Sequence, residues 1–81
     1  MTVKVRFFAG LVPIVGEKSI EVSLPANATV GTLRDQLVLR YPVLEAFMTT
    51  YVCAVAEEMQ PPEHPLADGD EVDIIPPISG G

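Results

Sequence analysis

The hydrophobic period of the chain changes twice, and the order of those changes leaves few folds open. From Thr2 to Phe8, Val3, Val5 and Phe7 alternate with Lys4 and Arg6, the two-residue period of a strand with one buried face. Ile20, Val22 and Leu24 alternate in the same way with Ser19, Glu21 and Ser23. Pro25 ends that run because it has no N–H to give to a ladder. The period then lengthens. Val30, Leu33, Leu37 and Tyr41 recur at three- and four-residue spacing, one apolar stripe of a helix. Thr29 is placed to cap its start, and Pro42 disfavours helical geometry at Tyr41. Alternation returns from Glu71 to Ile75, with Val72 and Ile74 expected inward and Glu71 and Asp73 outward, and Pro76-Pro77 closes it.

The intervening segments carry weaker signals. Gly10, Pro13 and Gly16 punctuate a loop or a short helical turn. Val43 to Thr50 reads as a second helical turn or as irregular chain. Tyr51 to Ala56 is small, aromatic and β-branched, a third strand. Glu57 to Pro65 is a polar, proline-broken excursion with about two residues of edge strand near Met59, and Asp68-Gly69-Asp70 is a turn. The order is β-β-α-β-(β)-β. A hairpin, a helix and a returning strand close one core only if the helix packs across one sheet face. The last strand is expected beside the first and parallel to it. That is an α+β fold, a β-grasp or ubiquitin-like roll, with a mixed sheet of four to five strands and one main helix on one face. The expected core is Val3, Val5, Phe7, Ile20, Val22, Leu24, Val30, Leu33, Leu37, Val72 and Ile74. Residues 1–76 are expected to form the domain and 77–81 a flexible tail.

Composition narrows the function. Eighty-one residues allow one small domain, which buries only about 60% of its unfolded surface and has little volume for a deep active site. One cysteine excludes an internal disulfide framework, a four-cysteine zinc site and an iron–sulfur cluster. It also makes a reducing cytoplasm the expected compartment. A net charge of −6 argues against nucleic acid as a partner. The longest largely apolar stretch, Ala46 to Ala56, is far short of the roughly 20 residues a bilayer needs, and the alternating N-terminus has no continuous apolar signal region.

Few side chains offer chemistry. His64 is the one histidine and sits in a polar loop; Cys53 lies mid-strand among apolar residues and is expected buried and inert. The acidic run from Asp68 to Asp73 lacks the spacing of a calcium loop, and no phosphate-binding glycine pattern occurs; no metal site is expected. There remains Ser79-Gly80-Gly81. Glycine has no Cβ, so its backbone passes through a channel too narrow for other residues. A terminal carboxylate on such a segment is a portable reactive group. Pro76 and Pro77 stiffen its base, and from Pro77 to Gly81 it reaches about 17 Å. On spacing alone, a carrier and a frayed end both stay open. The parity of the strands places Phe8 with Lys4 and Arg6, and Ile75 with Glu71 and Asp73, on the face away from the helix. Phe8, Met59 and Ile75, with Pro76, Pro77 and Ile78, are the expected partner-binding cluster.

Several segments together resemble the MoaD/ThiS family of ubiquitin-like sulfur carriers, in particular the small subunits of molybdopterin synthase. They are VKVRFFA at 3–9, LPANATVGTL at 24–33, RYP at 40–42, PLADGDEV at 65–72 and, most specific, IPPISGG at 75–81. The resemblance covers nearly the whole chain. Val12 stands where the family often has arginine, and Ala56-Glu57-Glu58 where it often has an asparagine turn. The resemblance implies that the Gly81 carboxylate is adenylated with ATP by a MoeB-like E1 enzyme. It is then converted to a thiocarboxylate with sulfur from a persulfide sulfurtransferase. The AMP ester and thiocarboxylate are transient modifications, and no cofactor is implied as permanently bound. The tail would enter a MoaE-like large subunit, which holds the catalytic residues, and give its sulfur to cyclic pyranopterin monophosphate, making the molybdopterin dithiolene. The chain would be no enzyme on its own. A related carrier for thiamin, cysteine or tRNA thiolation, or a β-grasp interaction module without carrier chemistry, are the alternatives.

Overall fold

The computed structural model describes residues 1–76; the expectations for Pro77, Ile78, Ser79, Gly80 and Gly81 lie outside the described residues. Alternation produces strands where the sequence predicts them. Thr2–Phe7 (β1) and Ser19–Ser23 (β2) form an antiparallel hairpin in which Val5 faces Ile20 and Lys4 faces Glu21. Between them Leu11–Val15 forms a short helix (α1), ended by Gly16 at φ 86°, a left-handed cap that glycine adopts without steric cost. Glu71–Ile75 (β5) lies beside β1 and parallel to it, with Arg6 opposite Asp73 and Phe7 opposite Ile74. Val52–Val55 (β3) pairs antiparallel with β5, and Glu58–Met59 (β4) pairs antiparallel with β3 as the two-residue edge. The sheet order is β2-β1-β5-β3-β4, the mixed five-stranded sheet of a β-grasp.

The helix Val30–Arg40 (α2) starts at Thr29, whose hydroxyl accepts from the Thr32 N–H while the Thr32 hydroxyl accepts from the Thr29 N–H. It stops before Pro42 as expected. Val30, Leu33 and Leu37 are buried on the sheet, and Tyr41 meets Phe7 edge-to-face with ring centroids 6.5 Å apart. The ambiguous stretch Val43–Thr50 resolves into a 3₁₀ turn, Pro42–Leu44, followed by Glu45–Met48 (α3), with Leu44 and Met48 turned into the core. The Arg34 guanidinium donates to the Met48 carbonyl and satisfies an acceptor at the end of α3.

The segment from Gln60 to Leu66 closes the start of α2. The carbonyls of His64 and Pro62 accept from the N–H groups of Val30 and Gly31 at 2.9 and 2.7 Å. A side chain at Gly31 would press on the Pro62 oxygen, 3.2 Å from the ideal Cβ position. All eleven expected core residues are buried. Leu11, Ala28, Leu44, Met48 and Leu66 join them from segments without a readable period.

Candidate functional site

The sheet face away from α2 is built by strand register. Ser19, Arg6, Asp73, Ala54 and Met59 stand opposite one another in succession across all five strands. Glu21, Lys4 and Glu71 form a second row. Beyond Phe7 and Ile74, the next residues are Phe8 and Ile75, and Ile75 also faces Val52. Phe8 follows the end of β1 and Ile75 ends β5, so the register sets both at the same end of the sheet. Phe8 is 39% exposed and Met59 69% exposed, while Ile75 and Pro76 are half-buried. Phe8 and Ile75 share one end of the face; Met59 lies a row away, at the edge strand.

One expectation needs correction. Asp73 points to the outer face as its parity dictates, but it is only 9% exposed. Arg6 covers it. Arg6 Nε donates to Asp73 Oδ1 at 2.6 Å and Nη2 donates to Oδ2 at 2.8 Å, the bidentate fork that suits guanidinium and carboxylate. Glu71 stands 3.9 Å from the same Nε. The hydrogen bond to Asp73, and then its charge, raise the Arg6 pKa above its ordinary value. The guanidinium also lies 5.8 Å from the centroid of the Phe8 ring, within cation–π reach. The sequence holds the signal for this pair: parallel pairing of the first and last strands sets Lys4 and Arg6 against Glu71 and Asp73. Reading each strand by itself assigns every alternating charge to solvent and misses it.

Arg6 is the ridge between two shallow depressions. One is lined by Phe8, Ala9, Val12 and Lys18, the other by Glu57, Asp70 and Glu71. The turn between β3 and β4 borders the second. Its central residues, Ala56 and Glu57, both have positive φ, 52° and 68°.

The other candidates are placed as structure rather than chemistry. Cys53 is buried, and loss of solvent pushes its thiol pKa up, with the Arg34 charge acting in the opposite direction. His64 contributes its carbonyl to the start of α2. Among the described residues, no three His, Cys, Asp or Glu side chains converge to hold a metal ion, and no helix is long and apolar enough to cross a membrane.

The sequence and the fold are similar to those of known proteins. The ThiS family matches residues 5–81. The molybdopterin synthase sulfur carrier subunit of Chlamydomonas reinhardtii is 37% identical over 83 residues, spanning 100% of both chains. That of Arabidopsis thaliana is 35% identical over 79 residues, covering 98% of this chain and 82% of the relative. The crystal structure of SAMP1 from Haloferax volcanii superposes with a TM-score of 0.89 at 28% identity, over the full length of both chains. A β-grasp with the parallel β1–β5 pair at its centre, matched in sequence almost end to end, belongs to the ThiS family.

Proposed function

We propose that this chain is the sulfur carrier subunit of a molybdopterin synthase and that Gly81 carries the sulfur. Full-length identity to relatives of that name carries the reading, together with a family match that runs through the Gly80-Gly81 end. The chemistry is consistent. A free carboxylate is a poor electrophile. In adenylation by a MoeB-like enzyme a carboxylate oxygen attacks the α-phosphorus of ATP and pyrophosphate leaves. The outer sulfur of a persulfide then attacks the carbonyl, AMP departs, and a thiol cleaves the resulting acyl disulfide to the thiocarboxylate, itself ending in a disulfide. The resulting thiocarboxylate presents a soft, nucleophilic sulfur at neutral pH. Ser79 and Gly80 form the slim approach to it, beyond the domain of residues 1–76. Phe8, Met59 and Ile75, with Pro76, Pro77 and Ile78, form the docking cluster for a MoaE-like large subunit that supplies the catalytic residues. A reducing cytoplasm suits a chain whose one thiol is buried.

The test is intact-protein mass spectrometry after incubation with ATP, the E1 enzyme, a persulfide donor and a reducing thiol. A gain of about 16 Da, oxygen replaced by sulfur at the terminal carboxyl, is expected. The charged protein should then convert cyclic pyranopterin monophosphate to molybdopterin with the large subunit. Loss of Gly81 should abolish both steps. A truncated chain that still supports synthesis would overturn the assignment of Gly81. A charged chain that does not support synthesis would move the reading to another thiolation pathway.

A further inference from the structure

The Arg6–Asp73 pair stands in the middle of the docking face, and its role there rests on the carrier function proposed for the chain. The guanidinium has five N–H donors. Asp73 engages two of them, and these are the only hydrogen bonds the Arg6 side chain makes to described residues. The remaining donors face outward: the Arg6 side chain is 41% exposed while that of Asp73 is 12% exposed. Their surroundings are apolar on the side of Phe8, and the outer row turns apolar again beyond Asp73. The Phe8 ring lies against the guanidinium, and Ala54 and Met59 continue the same row. Docking that buries Phe8 and Met59 also strips water from those donors, and a buried donor left without an acceptor is costly.

The local charge decides which acceptor fits. Arg6 is offset by Asp73, Glu71 stands 3.9 Å from its Nε, and Glu57 also acts on it, so these four side chains together carry a net charge of −2. An approaching carboxylate is repelled by that excess; an uncharged oxygen is not. We infer that Arg6, fixed in place by Asp73, is a specificity-determining residue of the docking face, donating to an uncharged oxygen acceptor of the large subunit. Asp73 is the positioning residue: it holds the fork and, through it, the contact with the Phe8 ring.

The experiment is calorimetric titration of the full chain against the large subunit, paired with thermal melts. The informative variant is Arg6→Leu/Asp73→Ala, which removes both charges and leaves no buried ion unpaired, a replacement that cores and interfaces commonly tolerate. Arg6→Met/Asp73→Asn, closer in shape, is the second variant should the first not fold. The melt should stay near that of the wild type, while affinity falls about tenfold or more because the partner oxygen loses its donor. The loss should be the same at low and high salt. Affinity equal to or tighter than wild type would reduce the pair to a structural plug and overturn the inference. A loss that vanishes at high salt would identify a partner carboxylate and overturn the uncharged acceptor. A wild-type chain that fails to bind the large subunit at all would overturn the molybdopterin synthase reading, and the inference with it.

Discussion

Cys53 illustrates how burial alone can silence a reactive residue. Its thiol sits on the helix-facing side of β3 and is kept protonated by loss of solvent, against a smaller opposing effect of Arg34. The consequence for stability has a definite sign. In the unfolded chain the thiol ionises near its ordinary pKa, about 8.5, while the folded chain still holds the proton. Above that pH the unfolded state binds fewer protons, so stability falls as pH rises, until the higher folded pKa is reached. The stability difference between wild type and Cys53→Ala should therefore shrink from pH 7 to pH 10 in denaturant titrations. A constant difference would mean the folded thiol ionises normally. In the same pH range a thiol-specific reagent should modify native protein only as fast as the strand opens.

At the scale of elements, the turn between β3 and β4 is the least relaxed part of the described backbone. Ala56 and Glu57 both occupy positive φ, where a side chain costs roughly 1–2 kcal/mol and where hairpins ordinarily use Asn-Gly. Ala56→Asn/Glu57→Gly should raise stability by about 1–2 kcal/mol, read as a higher denaturant midpoint with an unchanged slope. An unmoved midpoint would show that the turn stores no strain. Leu33 sits at the other extreme, fully buried at the centre of α2. Leu33→Ala should cost about 2–5 kcal/mol; a loss below about half a kcal/mol would mean the sheet closes over the gap.

Those two elements also mark how much is legible in the sequence. The face of α2 can be read because a 3.6-residue stripe repeats over three turns, and each strand face because alternation repeats over five or six residues. Leu11, Leu44, Met48 and Leu66 are just as buried, but they sit in segments too short for any period to declare itself. Asp73 escapes for a different reason. Its direction is legible, but its burial depends on Arg6, 67 residues away in sequence, and no local pattern contains that partner. On the candidate site, the placement of Phe8 and Ile75 at one end of the sheet follows from the parallel register of the first and last strands. The position of Met59 at the edge can be anticipated only roughly, because a two-residue strand has no pattern to repeat.

For the whole molecule, the helix and core occupy one side of the sheet and the charged rows, with Phe8 and Met59, the other. Folding and docking are therefore separable by substitution. Phe8→Ala should weaken the complex with the large subunit by about 1–3 kcal/mol and leave the monomer's melting nearly intact. Unchanged affinity, or a collapse of the monomer, would move Phe8 out of the docking cluster. The same separation predicts that electrostatics affects association more than folding. With a net charge of −6, the chain should associate faster with a basic partner at low salt than at high salt.

The central, parallel placement of β5 also has a mechanical consequence. Glu71 at its start lies beside Lys4 and Ile74 near its end beside Phe7, so a pull on the chain beyond Pro76 in the strand direction runs along the ladder. Such a load shears the slanted, evenly spaced bonds of the β1–β5 ladder all at once; it does not peel them open one at a time. On its other side β5 is held by β3 through an antiparallel ladder, whose bonds run perpendicular to the strands and are also loaded in shear. A partner that draws the C-terminal segment into a channel thus works against a firm stop at Ile75. The length that can be threaded is set by the covalent chain after that residue, however strong the tug.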